Sequence, residues 1–177
     1  LYLAGNYVLK STNRGDTWTA ISDDLSISRD KNKKALAAGA LAESALQKDL
    51  IYMGTDRGAF WVTENGGKDW VERSKGLPNN YIRCITPSVY KASRVYITLS
   101  GINYDDLNVY VYKSEDYGKT WEPIMNDLPN EVAYVIKEDP SFESILYAGL
   151  YRGAYISTDR GKSWSQLGKG LPAISVA

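Results

Sequence analysis

The chain has 177 residues, 44% of them hydrophobic, with 21 basic and 21 acidic side chains that cancel, one cysteine and no histidine. Balanced charge offers no long-range attraction to nucleic acid or to an anionic membrane surface, and a single cysteine excludes an internal disulfide and a thiolate-rich metal site. The lack of histidine excludes Ser-His-Asp and Cys-His hydrolysis and His-ligated zinc, so any catalysis would rest on carboxylates, Tyr, Lys or Arg, and no metal or other cofactor is expected.

The opening Leu1-Tyr2-Leu3-Ala4-Gly5 shows neither an initiator Met nor a basic-then-apolar leader, so no targeting signal can be read from it. Residues 2–4 read as a strand. Residues 23–34 are charged and polar without strand periodicity, which predicts a solvated connector. Short runs rich in β-branched and aromatic residues then recur in sets of four: 37–43, 50–55, 59–63 and 69–73; 82–87, 94–100, 108–114 and 120–124; 132–137, 145–150, 154–157 and 163–167. Cys84 alternates with strand residues in Ile82-Arg83-Cys84-Ile85 and reads as a small buried apolar side chain. Residues 173–176 resemble the first strand of a further set. All apolar runs are strand-sized, against the roughly 20 residues needed to span a bilayer, so no transmembrane helix is predicted.

One phrase is written four times between these runs. Ser11, Asn13, Gly15 and Trp18 recur as Thr63, Asn65, Gly67 and Trp70, as Ser114, Asp116, Gly118 and Trp121, and as Ser157, Asp159, Gly161 and Trp164. Asn or Asp two residues before Gly is turn chemistry: the short polar side chain bonds nearby amides while Gly accepts positive φ. Each copy therefore predicts a hairpin tip, whose closing Trp buries its ring at the hairpin base or in the seam with a neighbouring sheet. The tryptophans lie 52, 51 and 43 residues apart, the period range of propeller blades.

These residues resemble the Asp-box (BNR) repeat, Ser-x-Asp-x-Gly-x-x-Trp, of sialidases, xyloglucanase-type glycoside hydrolases and sortilin-type receptors. Together with Leu50-Ile51-Tyr52-Met53-Gly54-Thr55, Gly76-Leu77-Pro78 and Gly170-Leu171-Pro172, they are most similar to bacterial sortilin-like and xyloglucanase-like "glycosyl hydrolase" BNR-repeat proteins. Asn13 and Asn65 depart from the family's Asp and Thr63 from its Ser, and all three keep the hydrogen-bonding capacity a turn needs. The resemblance implies an all-β propeller of four-stranded antiparallel blades. The expected layout is a single arc over 1–177 with blades near 37–74, 82–125 and 131–168, a partial blade at 1–22 and the start of another at 173–177. Closed propellers typically have four to eight blades, so the arc is read as part of a longer chain, its partners being the remaining blades of the same protein or another protein chain. A secreted, periplasmic or cell-surface location follows from the resemblance alone.

Blade topology puts the phrases on one face and the connections after second and fourth strands on the other. The loops of that second face carry Arg57, then Tyr104, Asp105 and Asp106, then Tyr151 and Arg152. Arg57 and Arg152 occupy equivalent positions in two units, and arginine grips carboxylates through a planar fork. Tyr104 and Tyr151 can stack on a sugar ring or a peptide, and Asp105 and Asp106 are the candidate catalytic carboxylates, although glycoside hydrolysis needs two carboxyls facing a bond from opposite sides, roughly 5 to 9.5 Å apart. The leading expectation is a non-catalytic or uncharacterised propeller presenting this face to a protein or a glycan. The competing ones are a xyloglucanase-like hydrolase working through a carboxylate pair and a structural subunit of a larger assembly.

Overall fold

The computed structural model describes residues 1–26, 37–168 and 175–176. The connector expected over 23–34 lies outside these residues beyond Ser26, as does most of the strand expected over 173–177. The described residues form a three-stranded sheet followed by three four-stranded sheets, each an antiparallel meander in which neighbours in sequence are neighbours in space. The first sheet holds β1 (Tyr2–Ala4), β2 (Val8–Lys10) and β3 (Thr19–Ala20). The second holds β4 (Ala38–Glu43), β5 (Ile51–Thr55), β6 (Phe60–Thr63) and β7 (Val71–Glu72). The third holds β8 (Tyr81–Pro87), β9 (Val95–Gly101), β10 (Asp106–Ser114) and β11 (Glu122–Pro123), and the fourth β12 (Ala133–Glu138), β13 (Leu146–Leu150), β14 (Gly153–Ser157) and β15 (Ser165–Gln166). This is an all-β segment of a β-propeller, three complete blades preceded by a partial one.

The blades stack through apolar seams, because each sheet has two faces to bury and only its neighbours to bury them on. Leu50, Tyr52, Phe60 and Val62 of the second blade meet Ile82, Ile85, Val95, Ile97 and Leu99 of the third. Tyr96, Val111 and Ile124 of the third meet Ala133, Ile136, Leu146 and Trp164 of the fourth. Where second and inner strands of successive blades touch, the backbone comes too close for a side chain: a Cβ on Gly54 would lie 2.5 Å from Ile82 Cγ2.

Two features differ from the sequence expectation. The outer strands are shorter, only two residues each, and in the three complete blades the Trp just before the strand carries its indole N–H to the preceding blade. The inner strands β4, β8 and β12 carry a one-residue bulge at the same place, so that Gly39, Arg83 and Tyr134 are the extra residues. Cys84, next to that bulge, is half-buried with its Sγ 3.6 Å from Thr86 Oγ1.

The four phrases fold alike. In the third, Gly118 N–H donates to Ser114 Oγ (2.7 Å), Ser114 Oγ–H donates to Asp116 Oδ1 (2.8 Å), and the Thr120 N–H and hydroxyl donate to Asp116 (2.9 and 2.7 Å). Positive φ falls on two successive residues, Tyr117 (62°) and Gly118 (85°), as it does at Arg14-Gly15, Gly66-Gly67 and Arg160-Gly161. The Asn at position 65 has a local reason: its amide donates to the Asp69 carboxylate at 2.8 Å, where an Asp would place two anions together.

These closed rings set the pH response. Hydrogen bonds from the Ser163 hydroxyl and amide and from Ser157 hold the Asp159 carboxyl down at about 2. At Asp116 burial pushes the carboxyl up, but Thr120 and Ser114 outweigh it and hold the group below its usual range. A carboxylate whose folded pKa is depressed contributes stability that is fully present above its unfolded value of 3.8 and lost as pH falls through the folded value. Since no histidine titrates between pH 5 and 8, the melting temperature is expected to be flat across that window and to fall between about pH 4 and pH 2. A midpoint that moved by several degrees between pH 5 and 8 would contradict this.

Candidate functional site on the loop face

The face opposite the phrases is built by the β5–β6, β9–β10 and β13–β14 turns and by the connections that lead from one blade to the next. The β9–β10 connection is a single 3-10 turn, Ile102–Tyr104, closed by Asp105 in a left-handed conformation (φ 57°). Asp106 then organises the loop. Its Oδ1 accepts the Asn108 N–H (3.0 Å) and side-chain amide (2.7 Å), while its Oδ2 accepts the Tyr110 hydroxyl (2.8 Å) and the Asn80 amide (3.1 Å). Burial pushes its carboxyl up, but the Asn108 N–H, Tyr110 and Asn80 together hold it below the usual range. A Cβ at Gly101 would sit 2.6 Å from Asp106 Cβ, so the turn closes this tightly only over glycine. Asp105 and Tyr104 project into solvent from the same turn.

Between the third and fourth blades this face opens into a cleft of about 400 Å³. Ile102 and Leu107 form one wall, Pro129 and Val132 the other, with Tyr134 and Tyr151 completing the apolar lining. Its polar groups are Asn130, Glu131 and Arg152. Asn130 fixes the rim, donating from its amide to Asn108 Oδ1 (2.7 Å) and accepting the Val109 N–H (3.2 Å). Glu131 Oε1 accepts the Arg152 N–H (3.3 Å), and its Oε2 lies 3.9 Å from Arg152 Nε, whose side chain is 73% exposed.

The expected residues thus divide. Tyr151 and Arg152 line the cleft together; Tyr104 and Asp105 stand outside it on the exposed turn, and Asp106 anchors that turn from within. Arg57 lies on the second blade, half-buried, with its N–H to Thr55 Oγ1 at 3.4 Å, and does not converge with Arg152. The residues that sequence reasoning missed are Pro129 to Val132 and Tyr134. A signal for them exists: Leu128-Pro129 repeats the Leu77-Pro78 and Leu171-Pro172 pairs between units. Among the described residues no group of three or more Asp, Glu, Cys or His is placed to hold a metal ion, and no helix is long and apolar enough to cross a membrane.

Residues 111–124 match the BNR-Asp box repeat family and residues 155–166 the BNR/Asp-box repeat family. No curated protein matches the sequence. Among solved structures, the fold is similar to an ancestral GH74 enzyme (19% identity, TM-score 0.71, covering 96% of this chain and 22% of that one). It is also similar to the GH74 xyloglucanase from Xanthomonas campestris (16%, TM-score 0.69, covering 94% and 27%). A third likeness is to YCF48 bound to D1 peptide (16%, TM-score 0.61, covering 97% and 51%). The chain thus spans about a quarter of the GH74 chains it resembles. Four phrases with one bonding pattern, two of them inside matched repeat segments, and stacked four-stranded meanders make this chain a BNR/Asp-box repeat β-propeller segment, similar in fold to glycosyl hydrolases of the xyloglucanase type.

Proposed function

We propose that the segment is a non-catalytic binding module whose working surface is the cleft between the third and fourth blades, and that it takes an extended polypeptide segment there. The observation that carries this reading is the lining: Ile102, Leu107, Pro129 and Val132 offer aliphatic walls suited to peptide side chains, while Asn130, Glu131 and Arg152 sit at the edges where a peptide backbone needs partners. Asp106 supports it from the other side, since all its acceptor positions are engaged in holding its own turn and a carboxylate held below its usual range is a poor proton donor at neutral pH. The similarity in fold to YCF48 bound to D1 peptide supports the same reading. On this view the arc is one part of a larger propeller that works outside the cytoplasm.

The rival reading, a glycoside hydrolase, draws on the GH74 fold and on the exposure of Asp105. Incubation with xyloglucan separates the two. No reducing sugar is expected above the buffer blank from the wild type or from Asp105→Ala/Asp106→Ala, whereas peptides selected from a random display library are expected to lose at least about tenfold in affinity on Tyr151→Ala. Turnover abolished by the double variant would overturn the binding reading in favour of hydrolysis.

A further inference from the structure

Arg83 is the extra residue of the β8 bulge. Its guanidinium carbon lies 4.5 Å from the centroid of the Tyr134 ring and 5.7 Å from that of Tyr81. Both rings are positioned by other groups. The Tyr81 hydroxyl reaches Gly39 O (3.3 Å), and its ring covers Gly39 so closely that a Cβ there would lie 2.1 Å from Tyr81 Cε2. The Tyr134 carbonyl accepts the Thr98 hydroxyl at 3.2 Å, and its ring lines the cleft.

Most arginines of the later blades have carboxylates: Arg73 has Glu64, Arg94 has Glu115, Glu138 and Glu143, Arg152 has Glu131, and Arg160 has Glu143, while Arg57 has none among the described residues but lies on the second blade, outside the cleft lining. Arg83 has none among the described residues, although it is half-buried. Stacking uses the faces of a guanidinium and leaves the in-plane N–H donors, whose fork matches a carboxylate, directed past the rings. We propose that Arg83, lying against the cleft residue Tyr134, is the anion-reading group at the edge of this surface, and that the segment bound there is an acidic peptide with an Asp or Glu side chain set against Arg83 and apolar side chains against Ile102, Leu107 and Val132. This rests on the reading of the loop face as a peptide-binding surface. Charge complementarity selects the occupant: of the two arginines at this cleft, Arg152 on the rim faces Glu131 and Arg83 against Tyr134 has no carboxylate among the described residues, which leaves Arg83 to compensate an incoming one.

The test uses the full chain and three fluorescein-labelled probes followed by anisotropy at low salt: an octapeptide of alternating Glu and Leu, its Gln-Leu counterpart, and an oligogalacturonate of similar length. Saturable binding is expected for the Glu-Leu peptide, at least about tenfold weaker for the Gln-Leu peptide and for Arg83→Gln, partly restored in Arg83→Lys, and weakened by 0.5 M NaCl. Comparing the two peptides on the wild type needs no variant to fold, and a melt confirms that Arg83→Gln does. Equal affinity for both peptides, or full affinity in Arg83→Gln, would overturn the role of Arg83 while leaving the peptide-binding reading intact. Failure of both peptides to bind would overturn that reading as well, and binding of the oligogalacturonate alone would replace the peptide with an acidic glycan.

Discussion

Glu138→Ala is expected to cost about 3–5 kcal/mol of folding stability, the usual loss when one partner of a buried ion pair is removed. The Glu138 side chain at the end of β12 is 1% exposed, and the Arg94 side chain facing it is 4% exposed. Glu138 accepts the Ser88 hydroxyl (2.7 Å), the Val89 N–H (2.8 Å), the Tyr96 hydroxyl (3.0 Å) and Arg94 Nη1 (3.3 Å). Ser88, Val89, Arg94 and Tyr96 all belong to the third blade, so one carboxylate from the fourth satisfies four donors of its neighbour. Alanine would strip the Ser88 and Tyr96 hydroxyls of their buried acceptor and Arg94 of its most buried carboxylate, and unsatisfied donors cost more than a lost hydrogen bond gains. In a domain of this size the loss corresponds to a melting temperature lower by about 6–20 °C. Arg94→Ala is expected to be comparably severe because it strands Glu138 as a buried anion, although Arg94 also binds the more exposed Glu115 (2.8 Å) and Glu143 (3.0 Å). A loss below about 1 kcal/mol in urea unfolding of Glu138→Ala would show that the carboxylate is not the seam's fastening.

The second expected result is a graded series at the four tryptophans. The Trp70 indole N–H donates to Ile21 O (2.8 Å), Trp121 to Arg73 O (2.9 Å) and Trp164 to Ile124 O (2.7 Å). Each acceptor directly follows the outer strand of the preceding blade. Trp121 also meets Phe60 of that blade edge-on, ring centroids 4.9 Å apart. Trp164 is 6% exposed and Trp18 is 40% exposed. Trp164→Ala is therefore expected to cost about 3–5 kcal/mol, as deletion of a buried aromatic does, with Trp121→Ala and Trp70→Ala somewhat less and Trp18→Ala less than about 1 kcal/mol. Trp164→Phe keeps the apolar ring and drops the donor, isolating the carbonyl bond at about 1–3 kcal/mol. Equal losses at Trp18 and Trp164 would mean that the phrases act as hairpins alone and not as seams.

The architecture was legible because its signals are local. A Ser-x-Asn/Asp-x-Gly turn closes on itself within five residues, as the bonds around Ser114, Asp116 and Gly118 show, so sequence alone contains it. What the tryptophan reaches was not legible: Trp164 binds a carbonyl 40 residues away, and a backbone carbonyl has no residue signature. The bulges were hidden for a related reason. A single extra residue shifts alternation by one step, and Gly39, Arg83 and Tyr134 share no side-chain chemistry that would mark the shift. Topology sorted the loops into two faces, but the cleft formed at the Leu128-Pro129 connection, where the chain passes between blades, and drew in only Tyr151 and Arg152 of the residues singled out for their chemistry.

The indole bonds all point one way. Trp70, Trp121 and Trp164 each reach back to the blade before them, so each of these seams has a donor side and an acceptor side, and the arc has a polarity like that of a chain of hooks and eyes. Trp18 presents a hook at one end; Leu167, bonded through its N–H to Ala154 O as Ile124 is to Val111 O, presents the matching eye at the other. A blade that continues the arc beyond the fourth must bring an indole, and one that precedes the first must bring a carbonyl. Seams of this kind join blade to blade in one sense only, donor side to acceptor side.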